Sequence, residues 1–141
     1  MAMGLDGEGC PVRAPSQTRV ILLDTNALIW VEQGHVRARK LTGGGKRMYI
    51  SPVNLLELQF LLEAGRLRLR AGGVSDLAAR GPWLLDDPPA AAWFDAALDL
   101  GWTRDPFDRL LVAHAQLRGW RLATGDANLL EHLPERQRLE V

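Results

Sequence analysis

The sequence predicts an α/β fold, a three-layer sandwich in which helices cover both faces of a central, mostly parallel β-sheet. Three observations support this prediction. Strand-like runs alternate with helix-like segments along the chain. The first strand-like run, residues 20–23, is apolar throughout instead of alternating, which is typical of a strand buried on both faces. The length of 141 residues suits one domain around one core.

Five strands are predicted from short runs that end at turn or polar residues. Each is followed by a segment with glycine, proline or a helix-starting residue, which limits it to a few residues. The last run is expected to be a short edge strand. In chain order the predicted strands cover residues 20–23, 48–51, 83–85, 121–124 and 138–141.

Helices are predicted in the intervals between the strands, with proline and glycine setting their bounds. Proline suits the first turn of a helix, so Pro52 and Pro106 mark the start of two of them. Glycine pairs separate others. The predicted helices cover 25–33, a helix or turn that stops at the glycines 43–45, then 52–64, a short helix between 73 and 81, a helix from the prolines 88–89 to 100, and then 105–118 and 127–132.

Composition and the first residues narrow the class of protein. Hydrophobic residues make up 47% and charged residues 24%, as in soluble globular proteins. Residues 1–18 contain glycines and prolines without apolar periodicity, so we expect a flexible leader followed by one domain at 19–141. The leader lacks the apolar core of a secretory signal, and no apolar run is long enough to span a membrane. We therefore expect a cytoplasmic protein without membrane contact.

Charge and cysteine usage exclude some sites and leave others open. The single cysteine, Cys10, excludes a disulfide framework and a cysteine zinc site. Lys plus Arg and Asp plus Glu are 17 each, so no excess of positive charge indicates nucleic-acid binding. A bound divalent metal could supply positive charge that composition does not show.

Two acids lie directly beyond predicted strands. Asp24 follows the first strand, and Asp126 follows the fourth after the turn residues Thr124 and Gly125. In parallel α/β sheets, binding sites lie beyond the carboxyl ends of the strands. Each Asp also suits the N-cap of the helix that follows it, and both interpretations stay open.

Glu57 occupies an unusual position on the 52–64 helix. A helical wheel places it in an apolar stripe with Val53, Phe60, Leu61 and Ala64. A carboxylate in such a stripe is costly unless a cation compensates its charge. The compensating group is either a metal or a buried partner such as an arginine.

Asp105 and Asp108 open the 105–118 helix. They suit the N-cap and the third helical position, where an acid faces the positive end of the helix dipole. Asp108 also shares its arc with Leu111, Val112 and Ala115, the side expected to meet the sheet, and Asp105 lies roughly 60° away on the wheel. Both acids can therefore point to one place.

Acids at strand ends and on core-facing helix arcs predict one cluster. Packed together they would repel one another, so we expect bound divalent cations or raised pKa values. Ligation by oxygen alone favours Mg²⁺ or Mn²⁺ over zinc. The candidate metal ligands are Asp24, Glu57, Asp105, Asp108 and Asp126.

Four segments carry these acids and match the motifs of a known family. They are ILLDTNALIW at 21–30, the helix with Glu57, DPFDRLLVA at 105–113 and LATGD at 122–126. Together they resemble the PIN domain, with the greatest likeness to the VapC-type toxin ribonucleases of bacterial toxin–antitoxin pairs. The likeness extends over about residues 19–141, and DPFDRLLVA is its most specific element. It implies a PIN-like three-layer sandwich.

The resemblance also implies an activity, that of a metal-dependent endoribonuclease with an acidic pocket. Asp24, Glu57 and Asp108 match the three core acids of the family, and Asp126 matches the fourth, more variable one. These four are the implied catalytic residues. Asp105 belongs to the DPFD variant of the motif and joins them as an implied ligand of Mg²⁺ or Mn²⁺. Such a metal would activate water and relieve the charge that builds on phosphate oxygens.

The same resemblance implies supporting residues and partners. Asn26 and Thr124 fall where the family has polar residues that orient ligands and water. At Thr103 the chain departs from the DPFDR pattern, which often has a histidine there, and the departure leaves the acids intact. The implied role is the toxin of a type II toxin–antitoxin pair, with an RNA substrate, a cognate antitoxin and a homodimer as partners.

Two other classes of protein share some of these features. A phosphorelay receiver also has acids at strand ends, but it needs a lysine late in the chain, and the only lysines are Lys40 and Lys46. A catalytically inactive PIN-like module that binds RNA or protein remains the alternative.

Arg66, Arg68 and Arg70 alternate with leucines, which predicts an extended segment with a solvated face, or a contact with RNA phosphates.

Histidine and tryptophan offer no further site from sequence alone. His35, His114 and His132 lack the context of a general base, and we interpret them as structural or solvated. The five tryptophans are interpreted as anchors in the core or an interface.

Overall fold

The computed structural model describes residues 19–141, and the leader predicted at 1–18 lies outside the described residues. Within them, one sheet contains five strands: β1 (Val20–Leu23), β2 (Arg47–Ile50), β3 (Trp83–Leu85), β4 (Arg121–Thr124) and β5 (Arg138–Glu140). Their order in the sheet is β3–β2–β1–β4–β5, and every pairing is parallel. The prediction of a mostly parallel sheet with a C-terminal edge strand is confirmed.

Seven α-helices and two short 3₁₀ helices connect the strands of residues 19–141. None of these helices is both long and apolar enough to cross a bilayer. The 3₁₀ helices are Val36–Ala38 and Glu135–Gln137. The α-helices are α1 (Thr25–Glu32), α2 (Arg39–Thr42), α3 (Pro52–Glu63), α4 (Val74–Arg80), α5 (Ala90–Ala97), α6 (Pro106–Arg118) and α7 (Ala127–His132).

Most predicted element bounds lie within one residue of the observed ones, and two of the differences have local reasons. The second strand was expected at 48–51 but ends at Ile50, because Ser51 instead caps α3 and accepts a hydrogen bond from the Val53 amide. The helix expected to reach residue 100 ends at Ala97. Beyond it the chain forms turns in which Leu98 and Leu100 donate to carbonyls three residues earlier, as fraying helix ends do.

β1 lies at the centre of the sheet and is buried on both faces. Ile21, Leu22 and Leu23 are all inaccessible to solvent. Ile21 and Leu23 pack into one cluster with side chains of α1, α3 and α4, and Leu22 packs into the other with side chains of α5, α6 and α7. The three-layer sandwich predicted from the apolar run is therefore confirmed.

The order of the strands fixes where a site can form. The chain builds outward from β1 to β2 and β3 on one side and to β4 and β5 on the other, so the direction of winding switches between β1 and β4. Leu23 at the end of β1 pairs with Ala123 near the end of β4. A crevice at this switch point, beyond the carboxyl ends of the two strands, is where open α/β sheets bind ligands.

Candidate functional site

A cavity of about 280 Å³ lies beyond the ends of β1 and β4. All five predicted acids line it, together with the predicted Asn26. The other predicted polar residue, Thr124, is fully buried behind them. The structure therefore gathers the whole set that the sequence singled out. The lining acids are Asp24, Glu57, Asp105, Asp108 and Asp126.

Asp24 is the most buried of these acids, with 5% of its surface exposed. Its Oδ1 accepts a hydrogen bond of 2.7 Å from the Ala27 amide, so it is also the N-cap of α1. Burial raises the pKa of Asp24 to about 6, and repulsion by Glu57 and Asp126 adds to the rise. Hydrogen bonds from Thr124 and from the Ala27 amide offset part of it.

Three of the acids are N-caps of helices and also line the cavity, so both interpretations of them are compatible. Asp105 caps α6 through Oδ1, which accepts from the amides of Phe107 and Asp108 at 2.8 and 3.3 Å. Asp126 caps α7 in the same way. With Asp24 on α1, three helix N-termini thus converge on the cavity. Their positive dipole ends stabilise negative charge there.

Asp108 stands one turn into α6 and faces the other acids. Its pKa is raised to about 7, first by burial and then by repulsion from Asp105, Asp126, Glu57 and Asp24. The prediction that Asp108 meets the other acids is supported by this shared repulsion. A carboxyl with such a pKa exchanges its proton near neutral pH.

Glu57 reaches the cavity from α3, but the apolar stripe expected around it was only partly right. Val53 is buried, whereas Phe60 and Ala64 are exposed, so this side of α3 is buried only near the start of the helix. The Thr25 hydroxyl donates to Glu57 Oε1. Burial raises the pKa of Glu57, the Thr25 hydrogen bond lowers it, and repulsion by Asp105 raises it further.

Asn54 was not predicted from the sequence. It is fully buried and positions Glu57 through the Thr25 hydroxyl. Asn54 Nδ2 donates to the Leu23 carbonyl and to the Thr25 hydroxyl, both at 3.2 Å. Its Oδ1 accepts from the Ser51 amide at 2.7 Å. One amide thus joins the end of β1, the start of α3 and the hydroxyl that bonds Glu57. The available signal was an Asn at the third position of a helix that begins with Ser-Pro.

Asn54→Ala should therefore destabilise the fold by about 3 kcal/mol, because it leaves several buried polar groups without partners. Urea denaturation in EDTA measures this change in the free energy of unfolding. Asn128→Ala is the matched control, since Asn128 is exposed on α7 and its side chain makes no hydrogen bond to another described residue. Equal losses in the two variants would contradict the role of Asn54.

A second buried network lies between the sheet edge and α6, away from the cavity. His114, inaccessible to solvent, bonds Ser51 Oγ at 2.9 Å through Nδ1 and Asp86 Oδ2 at 2.7 Å through Nε2. Arg118 also bonds Asp86. Ser51 and His114 are both sealed from solvent, so no substrate reaches this Ser–His–Asp arrangement. The structural interpretation of His114 is confirmed.

Thr103, the position at which the sequence departs from the motif, shapes the turn before α6. It is 6% exposed, its hydroxyl accepts from the Asp105 amide at 3.3 Å, and its carbonyl accepts from Arg109 Nε at 2.7 Å. Both bonds fix the chain just before the capping acid Asp105. The departure at this position therefore leaves the acid cluster in place.

The donors around the cavity fit a hard divalent cation. They are carboxylate oxygens with the Thr25 hydroxyl and the Asn26 amide, the oxygen-rich set that Mg²⁺ and Mn²⁺ prefer. Burial raises the pKa values of Asp24, Glu57 and Asp108, and repulsion from neighbouring acids adds to the rise. A bound cation would neutralise the negative charge that causes this repulsion. Within residues 19–141, no three acids, histidines or cysteines lie as close together as metal ligands do. The structure thus shows the donors gathered around one cavity, without a closed ligand shell.

Comparison with known proteins gives the family that the sequence motifs resemble. The PIN domain family model matches residues 21–135. Ribonuclease VapC22 of Mycobacterium tuberculosis (strain ATCC 25618 / H37Rv) is 28% identical over 118 residues, which cover 79% of this chain and 91% of that protein.

Two solved structures share the fold at low sequence identity. A toxin–antitoxin complex from Klebsiella pneumoniae has a TM-score of 0.63 and 17% identity, covering 84% of this chain and 95% of that one. VapBC2 from Rickettsia felis, bound to a DNA fragment from its promoter, has a TM-score of 0.61 and 17% identity, covering 86% and 98%. With the family match spanning most of the chain and the acids gathered at the β1–β4 switch point, the chain belongs to the PIN domain family.

Proposed function

We propose that the protein is a metal-dependent endoribonuclease that hydrolyses RNA phosphodiester bonds. The observation that carries this proposal is the shared cavity in which burial and mutual repulsion raise the pKa values of Asp24, Glu57 and Asp108. Perturbed carboxyls gathered in one cleft are typical of catalytic sites. The 28% identity to a protein named as a ribonuclease supports RNA as the substrate.

Each residue of the cavity has a part in this proposal. The catalytic residues are Asp24, Glu57, Asp108 and Asp126. With Asp105 they would hold Mg²⁺ or Mn²⁺, which when bound supplies an activated water and charge relief at the phosphate. The hydrogen bond between Thr124 and Asp24 keeps that carboxyl in one orientation, as the Thr25 hydroxyl does for Glu57. Asn26 lines the same cavity and is assigned to orienting ligands and water.

The proposal extends to the biological role, the toxin of a type II toxin–antitoxin pair acting in the cytoplasm. A cognate antitoxin and a second copy of the chain are its proposed protein partners. The support is the fold shared with two structures described as a toxin–antitoxin complex and as VapBC2. Co-expression with the product of a neighbouring gene, followed by purification, tests for the antitoxin.

Cleavage of a circular RNA by the purified protein tests the activity directly. A circular RNA has no ends, so its conversion to a linear product reports internal cleavage. We expect cleavage in Mg²⁺ or Mn²⁺, none in EDTA, and recovery when the metal is returned. Binding of the RNA without cleavage in either metal would instead favour the inactive binding module.

Glu57→Gln should weaken Mn²⁺ binding while changing the free energy of unfolding in EDTA by less than about 1 kcal/mol. Glutamine keeps an oxygen for the Thr25 hydroxyl, and no ion pair among the described residues involves Glu57. A buried ion pair with an arginine would give the opposite result, because breaking one costs about 3–5 kcal/mol with or without metal. Calorimetric titration with Mn²⁺ and denaturation in EDTA distinguish the two.

A further inference from the structure

One arginine lines the acid cavity. Arg66 is exposed and lines this space together with the five acids. The ion pairs found within residues 19–141 involve Arg80, His114 and Arg118, and none joins Arg66 to an acid of the cavity. Its charge is therefore available for a ligand.

The end of α3 sets the position of Arg66. Gly65 adopts a left-handed conformation with φ of +70°, its amide donates to the Leu62 carbonyl at 3.0 Å, and the Arg66 amide donates to the Leu61 carbonyl at 2.9 Å. These two bonds form the glycine-ended helix terminus known as the Schellman motif. Because α3 also carries Glu57, this helix end fixes Arg66 relative to the acids.

The two following arginines have the same charge and different surroundings. Arg68 is exposed, and its carbonyl accepts a 2.6 Å hydrogen bond from Gln33 Nε2. Arg70 places its guanidinium beside Gly34. Neither lines the acid cavity. The alternating leucines pack against the core while the arginines are exposed, so the predicted solvated face is confirmed.

We propose that Arg66 binds a backbone phosphate of the RNA next to the acid cavity. This inference rests on the proposed nuclease function. An acidic cavity repels RNA, which is a polyanion. A metal bound by the carboxylates would neutralise negative charge only at its own binding site. An adjoining phosphate needs its own cation, and the planar guanidinium of arginine can donate two parallel hydrogen bonds to it. Arg66 is placed for that contact, whereas Arg68 is not.

The binding test uses a short fluorescein-labelled single-stranded RNA with Mg²⁺ present. Arg66→Ala and Arg68→Ala are each added to an Asp24→Asn background, and fluorescence anisotropy is measured at several salt concentrations. We expect Arg66→Ala to weaken binding by about tenfold, the loss of one charge-assisted contact. It should also lower the slope of log K against log salt by about 0.7, the value for one phosphate on a single strand. Arg68→Ala should change both much less.

Two further measurements test whether the effect comes from the charge of Arg66 and whether the fold is intact. Arg66→Lys retains a positive charge and should retain the salt slope, and Arg66→Ala should leave the melting temperature unchanged because its structural hydrogen bond comes from the backbone. Equal effects of Arg66→Ala and Arg68→Ala, or a salt slope lost in Arg66→Lys, would overturn the proposal.

Cleavage by the otherwise unchanged protein separates this proposal from the nuclease function. Metal-dependent cleavage without a difference in binding between the two alanine variants overturns only the role of Arg66. No cleavage, with a clear difference in binding, overturns only the nuclease function. In the single variant Arg66→Ala, we expect KM for RNA to rise more than kcat falls, since the phosphate contact exists before and during the reaction.

Discussion

Asp24→Asn is expected to abolish RNA cleavage and, at the same time, to stabilise the metal-free protein at pH 8. The carboxylate is 5% exposed and lies beside other acids, so its charged form is costly. Asparagine removes the charge but keeps an oxygen to accept the Ala27 amide that Asp24 Oδ1 accepts. A loss of activity in a folded, more stable protein is the signature of a catalytic acid rather than of a simple helix cap.

The stabilisation should depend on pH in a direction set by the raised pKa. Because the pKa of Asp24 rises from 3.8 to about 6 on folding, the folded state binds more protons between these values. The stability that Asp24 contributes is therefore present below pH 3.8 and is lost as the pH rises through about 6. At 1.36 kcal/mol per pKa unit, the advantage of Asp24→Asn should reach up to about 3 kcal/mol at pH 8 and fall to about half of that at pH 5.

Urea denaturation of both proteins in EDTA at pH 5 and pH 8 measures this difference, and the circular RNA reports activity. Asp99→Asn is the matched control, because Asp99 is exposed in the turn after α5 and does not line the cavity. It should change neither activity nor the pH dependence of stability. Full metal-dependent cleavage by Asp24→Asn would disprove the catalytic assignment.

Mg²⁺ or Mn²⁺ should raise the melting temperature of the protein, and Asp108→Asn should reduce that rise. A metal that binds only the folded state adds about 2.7 kcal/mol when present at 100 times its Kd. The pKa of Asp108 is raised to about 7 in the metal-free cavity, so protons compete with the metal near neutral pH. The rise in melting temperature should consequently be larger at pH 8 than at pH 6.

Sodium chloride at matched ionic strength is the control for the metal effect. Salt alone screens the repulsion among the carboxylates and would also stabilise the protein to some degree. A rise as large in sodium chloride as in Mn²⁺, or one unaffected by Asp108→Asn, would show that the carboxylates do not form one metal site. The inactive binding module would then be the better description.

Part of this site could be predicted because apolar runs and strand ends are local features of the sequence. The ranges 20–23, 83–85 and 121–124 match β1, β3 and β4 residue for residue. Asp24 and Asp126 lie just beyond the ends of two of these strands. Because parallel α/β sheets bind ligands at that edge, the two acids could be predicted to share one site. The strand order that makes β1 and β4 neighbours required the three-dimensional structure.

The surroundings of α3 could not be predicted, because a helical wheel describes one helix and not what covers it. Phe60 was assigned to a buried stripe but is 52% exposed, where its ring packs edge-on to Phe107 at 5.6 Å between centroids. Asn54 was overlooked for the complementary reason. Its hydrogen bonds to Leu23 and Thr25 join segments about thirty residues apart, which no helical periodicity reveals.

The central position of β1 has a consequence for the order of folding. Ile21 pairs with Met48 on one side and with Arg121 on the other, so β1 gains its second neighbour only after most of the chain has been synthesised. Asp126 follows that neighbour, and Asp108 lies on the helix just before it. Distant parallel pairings form slowly because the intervening loop must close first. A ribosome-bound chain that ends before residue 121 lacks Asp126 and cannot form the complete acid cluster. We therefore expect the proposed nuclease to be inactive toward RNA near the ribosome until β4 joins the sheet.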